Sequence, residues 1–235
     1  MHFLLIGHSV VDKIIDNDRK SIKPGGVFYS VVSFLSQMES EDKLYLCSSI
    51  NIENESLFMD AYNKIERDYL VYTNSIPQVE LTIHETGERK ENYSLIAENL
   101  KLPAVDLNQF DGILLNMISG YDLSLAQLKH LRKNYQGLIY FDVHTLSRGV
   151  DKDLNRIFIR ITQFNEWANC IDILQVNESE LLTVSDQKDE QYIVEELFSY
   201  GIKQIIITKA EKGAIVYLKE SNSITKIQKD ALLIK

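Results

Sequence analysis

Short apolar runs rich in Ile, Leu and Val recur along this chain, separated by segments whose apolar residues return every three or four positions. The runs cover residues 2–6, 43–50, 113–115, 138–141, 171–176, 204–208 and 214–218. A strand that is apolar on both sides is buried on both sides, as in a parallel sheet covered by helices. Between the runs, Val27, Val31, Phe34, Leu35 and Met38 predict a helix after Gly26, and similar spacing predicts helices over 55–70, 123–131, 157–167 and 193–198. The implied class is α/β, a mostly parallel central sheet with helices on both faces.

Two stretches break this rhythm. Residues 13–23 are polar around the Ile14-Ile15 pair. Residues 77–95 alternate through Val79, Leu81 and Ile83, turn at Glu85-Thr86-Gly87-Glu88 and return through Arg89 to Tyr93. That is the pattern of a hairpin with one polar face, a small β lid inserted in the α/β core.

Charge and cysteine usage narrow the functions. With 25 Lys and Arg against 34 Asp and Glu the formal charge is −9, which argues against a nucleic-acid partner, because phosphate backbones need clustered cations. No apolar run reaches the roughly 18–20 residues of a membrane span. Met1 to Ile6 lacks a basic leader, so a cytoplasmic location is expected. Cys47 and Cys170 stand far apart and read as buried thiols. The five histidines, 2, 8, 84, 130 and 144, have no metal-ligand spacing, and the familiar phosphate-loop, dinucleotide, zinc-protease and serine-elbow motifs are absent.

What remains is a series of modest signals. Asp12 follows the first strand, where a carboxylate can accept hydrogen bonds from two hydroxyls, or form a turn. Pro24-Gly25-Gly26 opens an apolar helix, as a ligand-approaching loop or a tight turn would. Asp142 ends a strand and precedes His144 and Arg148. Asn177-x-x-Glu180 has the spacing of a capping box. Thr208 to Gly213 joins two strands. Phe28 and Tyr29, at a helix start, either line a site or pack the core.

In this order, with Gly7 before Asp12 and the β lid between Gly26 and Asp142, the series resembles the ribokinase or PfkB family of sugar and nucleoside kinases. The resemblance spans the whole chain as one ribokinase-like domain, 1–235, with lid segments near 13–23 and 77–95. It implies ATP-dependent phosphorylation of a hydroxyl of a sugar or nucleoside, with Mg²⁺. It places Asp12, Gly25, Gly26 and Ser30 at the acceptor, Asp142 near the junction of the two sites, and Asn177, Glu180, Thr208 and Gly213 at the nucleotide. Glu180 would act on Mg²⁺ through water. A homodimer through the lid is a further expectation.

The sequence departs from the family at three points. Ser30 stands where many relatives have Asn, and Ala210 replaces the first Gly of Thr-x-Gly-x-x-Gly. No Gly-Ala-Gly-Asp occurs. The resemblance places the catalytic base and an anion hole in that motif, just after the segment like 225–235. The expectation is therefore a C-terminally incomplete chain without turnover, its base beyond Lys235. The alternative is a non-catalytic small-molecule binder on the same fold.

Overall fold

The computed structural model describes residues 1–16, 19–83, 90–221 and 223–232. The chain enters through β1 (His2–Ile6), β2 (Ser9–Asp16), β3 (Arg19–Gly26), α1 (Val27–Leu35) and β4 (Lys43–Ile50). The short α2 (Met59–Tyr62), β5 (Leu70–Tyr72), β6 (Gln78–Ile83) and β7 (Lys90–Leu95) follow, then β8 (Gly112–Asn116), α3 (Leu125–Asn134) and β9 (Leu138–Asp142). A hairpin of β10 (Arg148–Val150) and β11 (Arg156–Phe158) precedes α4 (Phe164–Ala168), β12 (Ile173–Asn177), α5 (Glu178–Leu181) and α6 (Glu190–Ser199). The chain ends in β13 (Gln204–Thr208), β14 (Ala214–Lys219) and β15 (Ile224–Lys229).

The main sheet runs β15-β14-β13-β12-β9-β8-β1-β4-β5. It is parallel from β5 to β13, and β14 and β15 close it antiparallel. Chain order reverses at β1, which pairs with β4 on one side and β8 on the other. In open α/β sheets such a reversal leaves a crevice beyond the carboxyl ends of the strands.

Strand alternation divides the core in two. Leu4, Ile6, Ile113, Leu115, Ile139, Phe141, Leu174, Ile205 and Ile207 face a cluster shared with Leu128 and Leu131 of α3, Trp167 of α4 and Leu197 of α6. Leu5, Leu44 and Leu46 face the other cluster, with Val27 and Val31 of α1 and Ala61 and Tyr62 of α2. At roughly 2 kcal/mol for each fully buried aliphatic side chain, these two layers dominate stability. The helices thus lie on both faces, as expected, but the α1 layer reaches only the β1–β4 end. Across β9 to β14 on that face Tyr140, Ile173, Gln175, Ile206 and Val216 are half-buried and belong to neither cluster. Leu138 is 45% exposed.

The two rhythm-breaking stretches form one four-stranded sheet, β3-β2-β6-β7. β2 continues from β1 through Gly7 and His8, pairs antiparallel with β3 and parallel with β6, and β7 completes the layer. The expected turn at Glu85–Glu88 lies outside the described residues, as do Leu233 to Lys235.

Two helical expectations fail. Residues 55–70 form a 3-10 turn, Ile52–Leu57, and then the four-residue α2. Phe58, Ala61 and Tyr62 are buried as helical spacing requires. Beyond them the backbone of Glu66 hydrogen-bonds to Leu44 and Leu46, so the chain runs alongside β4 instead of coiling. Residues 157–167 begin as β11, paired with β10, and only 164–168 are helical. The part-buried ion pairs of Arg148 and Arg156 with Glu91 hold that hairpin against β7, and hydrophobic periodicity does not register them.

Candidate active site

Asp12 lies in β2, opposite Lys23 of β3 and Val79 of β6. Gly25 lies beneath it: a Cβ there would sit 2.3 Å from Asp12 Oδ2 and 2.6 Å from Oδ1. Only glycine lets the carboxylate occupy that place. Gly26 has φ +65°, and a Cβ on it would approach the His8 carbonyl oxygen to 2.4 Å. That left-handed turn joins β3 to α1, with the Val27 N–H donating to His8 O at 3.1 Å. The Gly-Gly pair therefore sets Asp12 and the start of α1 side by side.

These residues border a cavity of about 340 Å³ beneath the small sheet. Asp12, Glu91, His144 and Arg156 are its charged or titratable lining, and Ile14, Val79, Leu81 and Ile118 give aliphatic walls. Tyr29 also lines it and is 59% exposed, whereas Phe28 packs against Phe58 and Tyr62. Of that aromatic pair, one lines the cavity and the other is core.

A second cavity of about 340 Å³ adjoins α1 and the ends of β8, β9 and β12, where Ser30 and Asp142 meet Asn116, Tyr140 and Gln175. Asn116 Nδ2 donates to Ser30 Oγ at 2.6 Å. Asp142 ends β9 and lines the second cavity, His144 two residues on borders the first, and Tyr29 lines both, so the two spaces adjoin at this corner. His144 is held at φ +31°, a conformation that non-glycine residues adopt at a cost of about 1–3 kcal/mol. Burial pushes the Asp142 carboxyl up to about 6, opposed by His144 and reinforced by the charge of Glu180.

Glu180 is buried, with its Oε2 accepting the Asn177 N–H at 2.8 Å while Asn177 Oδ1 accepts the N–H groups of Ser179 and Glu180. This is the capping box expected from the spacing. It leaves Glu180 Oε1 buried without a hydrogen-bond partner, 3.7 Å from His144 Nδ1. Thr208 pairs with Asn177 across the sheet, its hydroxyl 3.5 Å from the Val176 carbonyl. Gly213 closes the loop from β13 to β14, where a Cβ would come within 1.9 Å of the Lys229 carbonyl oxygen. Ala210 sits in that loop at φ +46°, where the resemblance has glycine.

The structure brings Asp12, Gly26, Ser30 and Asp142 to the two cavities beside α1, while Asn177, Glu180, Thr208 and Gly213 lie apart from them at the ends of β12 and β13. Gly25 supports Asp12, and Ser30 is satisfied by Asn116. Sequence reasoning missed Glu91 and Arg156. Their signal was period-two burial of Glu91 and Tyr93 in the expected hairpin and an arginine opening a segment read as helix. Among the described residues no group of three His, Cys, Asp or Glu side chains is arranged to hold a metal, and no helix is long and apolar enough to cross a membrane.

No family model matches the sequence, and no curated protein sequence matches it. Solved structures do match. A pyrophosphate-dependent kinase in the ribokinase family superposes with a TM-score of 0.72 at 15% identity, over 97% of this chain and 78% of that one. Arabidopsis thaliana ribokinase, complexed with ribose and ATP, gives 0.70 at 15% identity over 97% and 77%. Salmonella enterica aminoimidazole riboside kinase, complexed with aminoimidazole riboside and an ATP analog, gives 0.68 at 15% identity over 99% and 78%. At such identities the likeness is one of fold: the chain has the ribokinase-like fold.

Proposed function

We propose that this fold serves the ATP-dependent phosphorylation of a hydroxyl group of a sugar or nucleoside, with the acceptor under the small sheet and the donor along the ends of β12 and β13. One observation carries the reading. A carboxylate, Asp12, is fixed by Gly25 and Gly26 over a cavity at the strand-order reversal, and His144 of that cavity stands 3.7 Å from Glu180 in the Asn177–Glu180 cap at the end of β12. Phosphoryl transfer consists mostly of positioning and charge stabilisation, so two adjoining binding spaces are its first requirement.

In this reading Asp12 accepts hydrogen bonds from two acceptor hydroxyls, and its fixed carboxylate orients the third toward the donor. Asn177 and Thr208 border the donor phosphates, and Gly213 the rest of the nucleotide. The Oε1 of Glu180, which has no hydrogen-bond partner and lies 3.7 Å from His144 Nδ1, would suit a hard cation that keeps its water ligands. Mg²⁺ would be held there through water and would neutralise charge on the transferring phosphoryl group. Asp142, whose carboxyl burial pushes up to about 6 at the shared corner, is suited to take a hydroxyl proton near neutral pH.

A second reading, binding without transfer, is favoured by the capping box that already satisfies Asn177 and most of Glu180, and by Ala210, which stands where the resemblance has glycine. Donor binding separates the two. Structural neighbours were solved with ATP, or belong to pyrophosphate-dependent kinases, so both donors are titrated calorimetrically with Mg²⁺ against a panel of sugars and nucleosides. A kinase binds a donor, and its acceptor affinity changes when the donor is present. A pure binder takes the acceptor alone.

A further inference from the structure

Arg148 and Arg156 bring two guanidinium groups to one carboxylate. Arg148 Nη1 lies 3.1 Å and Arg156 Nη1 2.8 Å from the same oxygen, Glu91 Oε2. Among the described residues neither arginine has another ion-pair partner. Arg156 Nη2 donates to the Tyr93 hydroxyl at 2.8 Å, which in turn donates to the Ser119 carbonyl, and the guanidinium lies 4.4 Å from the centre of the Tyr93 ring. The arginine is thus locked in one orientation, and its side chain is only 7% exposed.

Two features of this cluster point to a ligand. Two guanidinium groups share one directly paired carboxylate oxygen, which leaves part of each planar donor fork without an acceptor. The Nε atoms of both arginines are also buried with no hydrogen-bond partner, and buried donors are normally satisfied. Arg156 lines the 340 Å³ cavity together with Asp12 and His144. An oxyanion in that cavity would supply acceptor atoms to Arg156, because a guanidinium fork matches carboxylate and phosphate oxygens.

Resting on the acceptor role proposed for this cavity, we propose that the acceptor is anionic: a sugar or sugar derivative carrying a carboxylate or phosphate group, whose charged end is anchored by Arg156 with support from Arg148 while its hydroxyls face Asp12. Arg156 is then the specificity-determining residue of the site, and the β10–β11 hairpin carries it.

The test is a calorimetric titration of the chain with two matched pairs, D-gluconate against D-glucose and D-ribose 5-phosphate against D-ribose. At least one anionic member is expected to bind about tenfold or more tightly than its neutral partner. The pair that shows the preference tells a carboxylate site from a phosphate site, and inorganic phosphate should compete only in the second case. Arg156→Gln should abolish the preference. If that variant does not fold, the wild-type salt dependence serves instead, since affinity for the anion should fall with ionic strength while that for the neutral sugar stays level. Neutral sugars binding as tightly as their anionic partners, or no saturable binding of either anionic sugar, overturns the proposal. Anion preference without donor binding keeps this inference and removes the kinase reading. Donor binding with a preference for neutral sugars does the reverse.

Discussion

The two ends of the site differ in what their polar groups already possess. At the β12–β13 end Asn177 and Glu180 satisfy most of one another in a capping box, and Gly213 is required by the close approach of Lys229. Local chain chemistry accounts for those residues with no ligand at all, apart from the spare oxygen of Glu180. At the β1–β2 end local chemistry is not enough. A glycine is needed so that a carboxylate can stand over a cavity, and two arginines crowd one glutamate beside it. The sheet differs in the same direction, covered on both faces at β1 and β4 but half-covered across β9 to β14. A motif explained by helix capping is weak evidence for a ligand, whereas a glycine whose reason is a side chain facing a cavity is strong evidence.

Substitutions at the acceptor end should show the largest effects. Gly26→Ala places a Cβ 2.4 Å from a carbonyl oxygen at φ +65°, and should cost about 2–4 kcal/mol of unfolding free energy in a urea titration. A loss below about 0.5 kcal/mol would show that the turn is not constrained as described.

Asp12→Ala removes the carboxylate and leaves a strand that alanine tolerates. Acceptor binding by calorimetry should weaken at least tenfold, about 1.4 kcal/mol, with the melting temperature nearly unchanged. Unchanged affinity would take Asp12 out of the site.

Asp142→Asn sharpens the comparison through pH. Burial holds the folded carboxyl near 6 against an ordinary value of 3.8. Well below pH 3.8 the group is protonated in both states and contributes nothing. As the pH rises toward and past 6, ionising it costs the native state more than the unfolded one. The variant should therefore be more stable than wild type by about 1–3 kcal/mol at neutral pH, since a tenfold change in proton affinity corresponds to roughly 1.4 kcal/mol, and equal to it in acid. A stability difference independent of pH would contradict that environment.

Glu180→Gln should have the smallest effect on stability, within about 0.5 kcal/mol, because glutamine also completes a capping box. The measurement that matters is donor affinity against Mg²⁺ concentration. An unchanged Mg²⁺ dependence would reduce Glu180 to a cap.

Much of the fold was legible in the sequence because buried parallel strands are continuous apolar runs. β1, β4, β13 and β14 lie within a residue of their expected places, and α1 follows Gly26. Segments decided by distant contacts were not legible. Residues past Tyr62 run beside β4 instead of extending a helix, and the β10–β11 hairpin is held by Glu91, 57 residues before Arg148. The order of Asp12, Gly25, Gly26, Asp142, Asn177 and Thr208 was readable as a motif series, and the roles of these residues are the proposal made above. Glu91 and Arg156 were not, because their meaning arises only when a hairpin and a second sheet meet.

The most direct test of the division into two ends is a crossed titration. Acceptor and Mg²⁺-ATP are each titrated into wild type, Asp12→Ala and Glu180→Gln, with circular dichroism confirming the fold of each. Asp12→Ala should lose acceptor affinity while keeping that for Mg²⁺-ATP, and Glu180→Gln should weaken Mg²⁺-ATP while leaving the acceptor unaffected. Loss of both ligands together in either folded variant, or of neither in both, would contradict a site built from two separable ends.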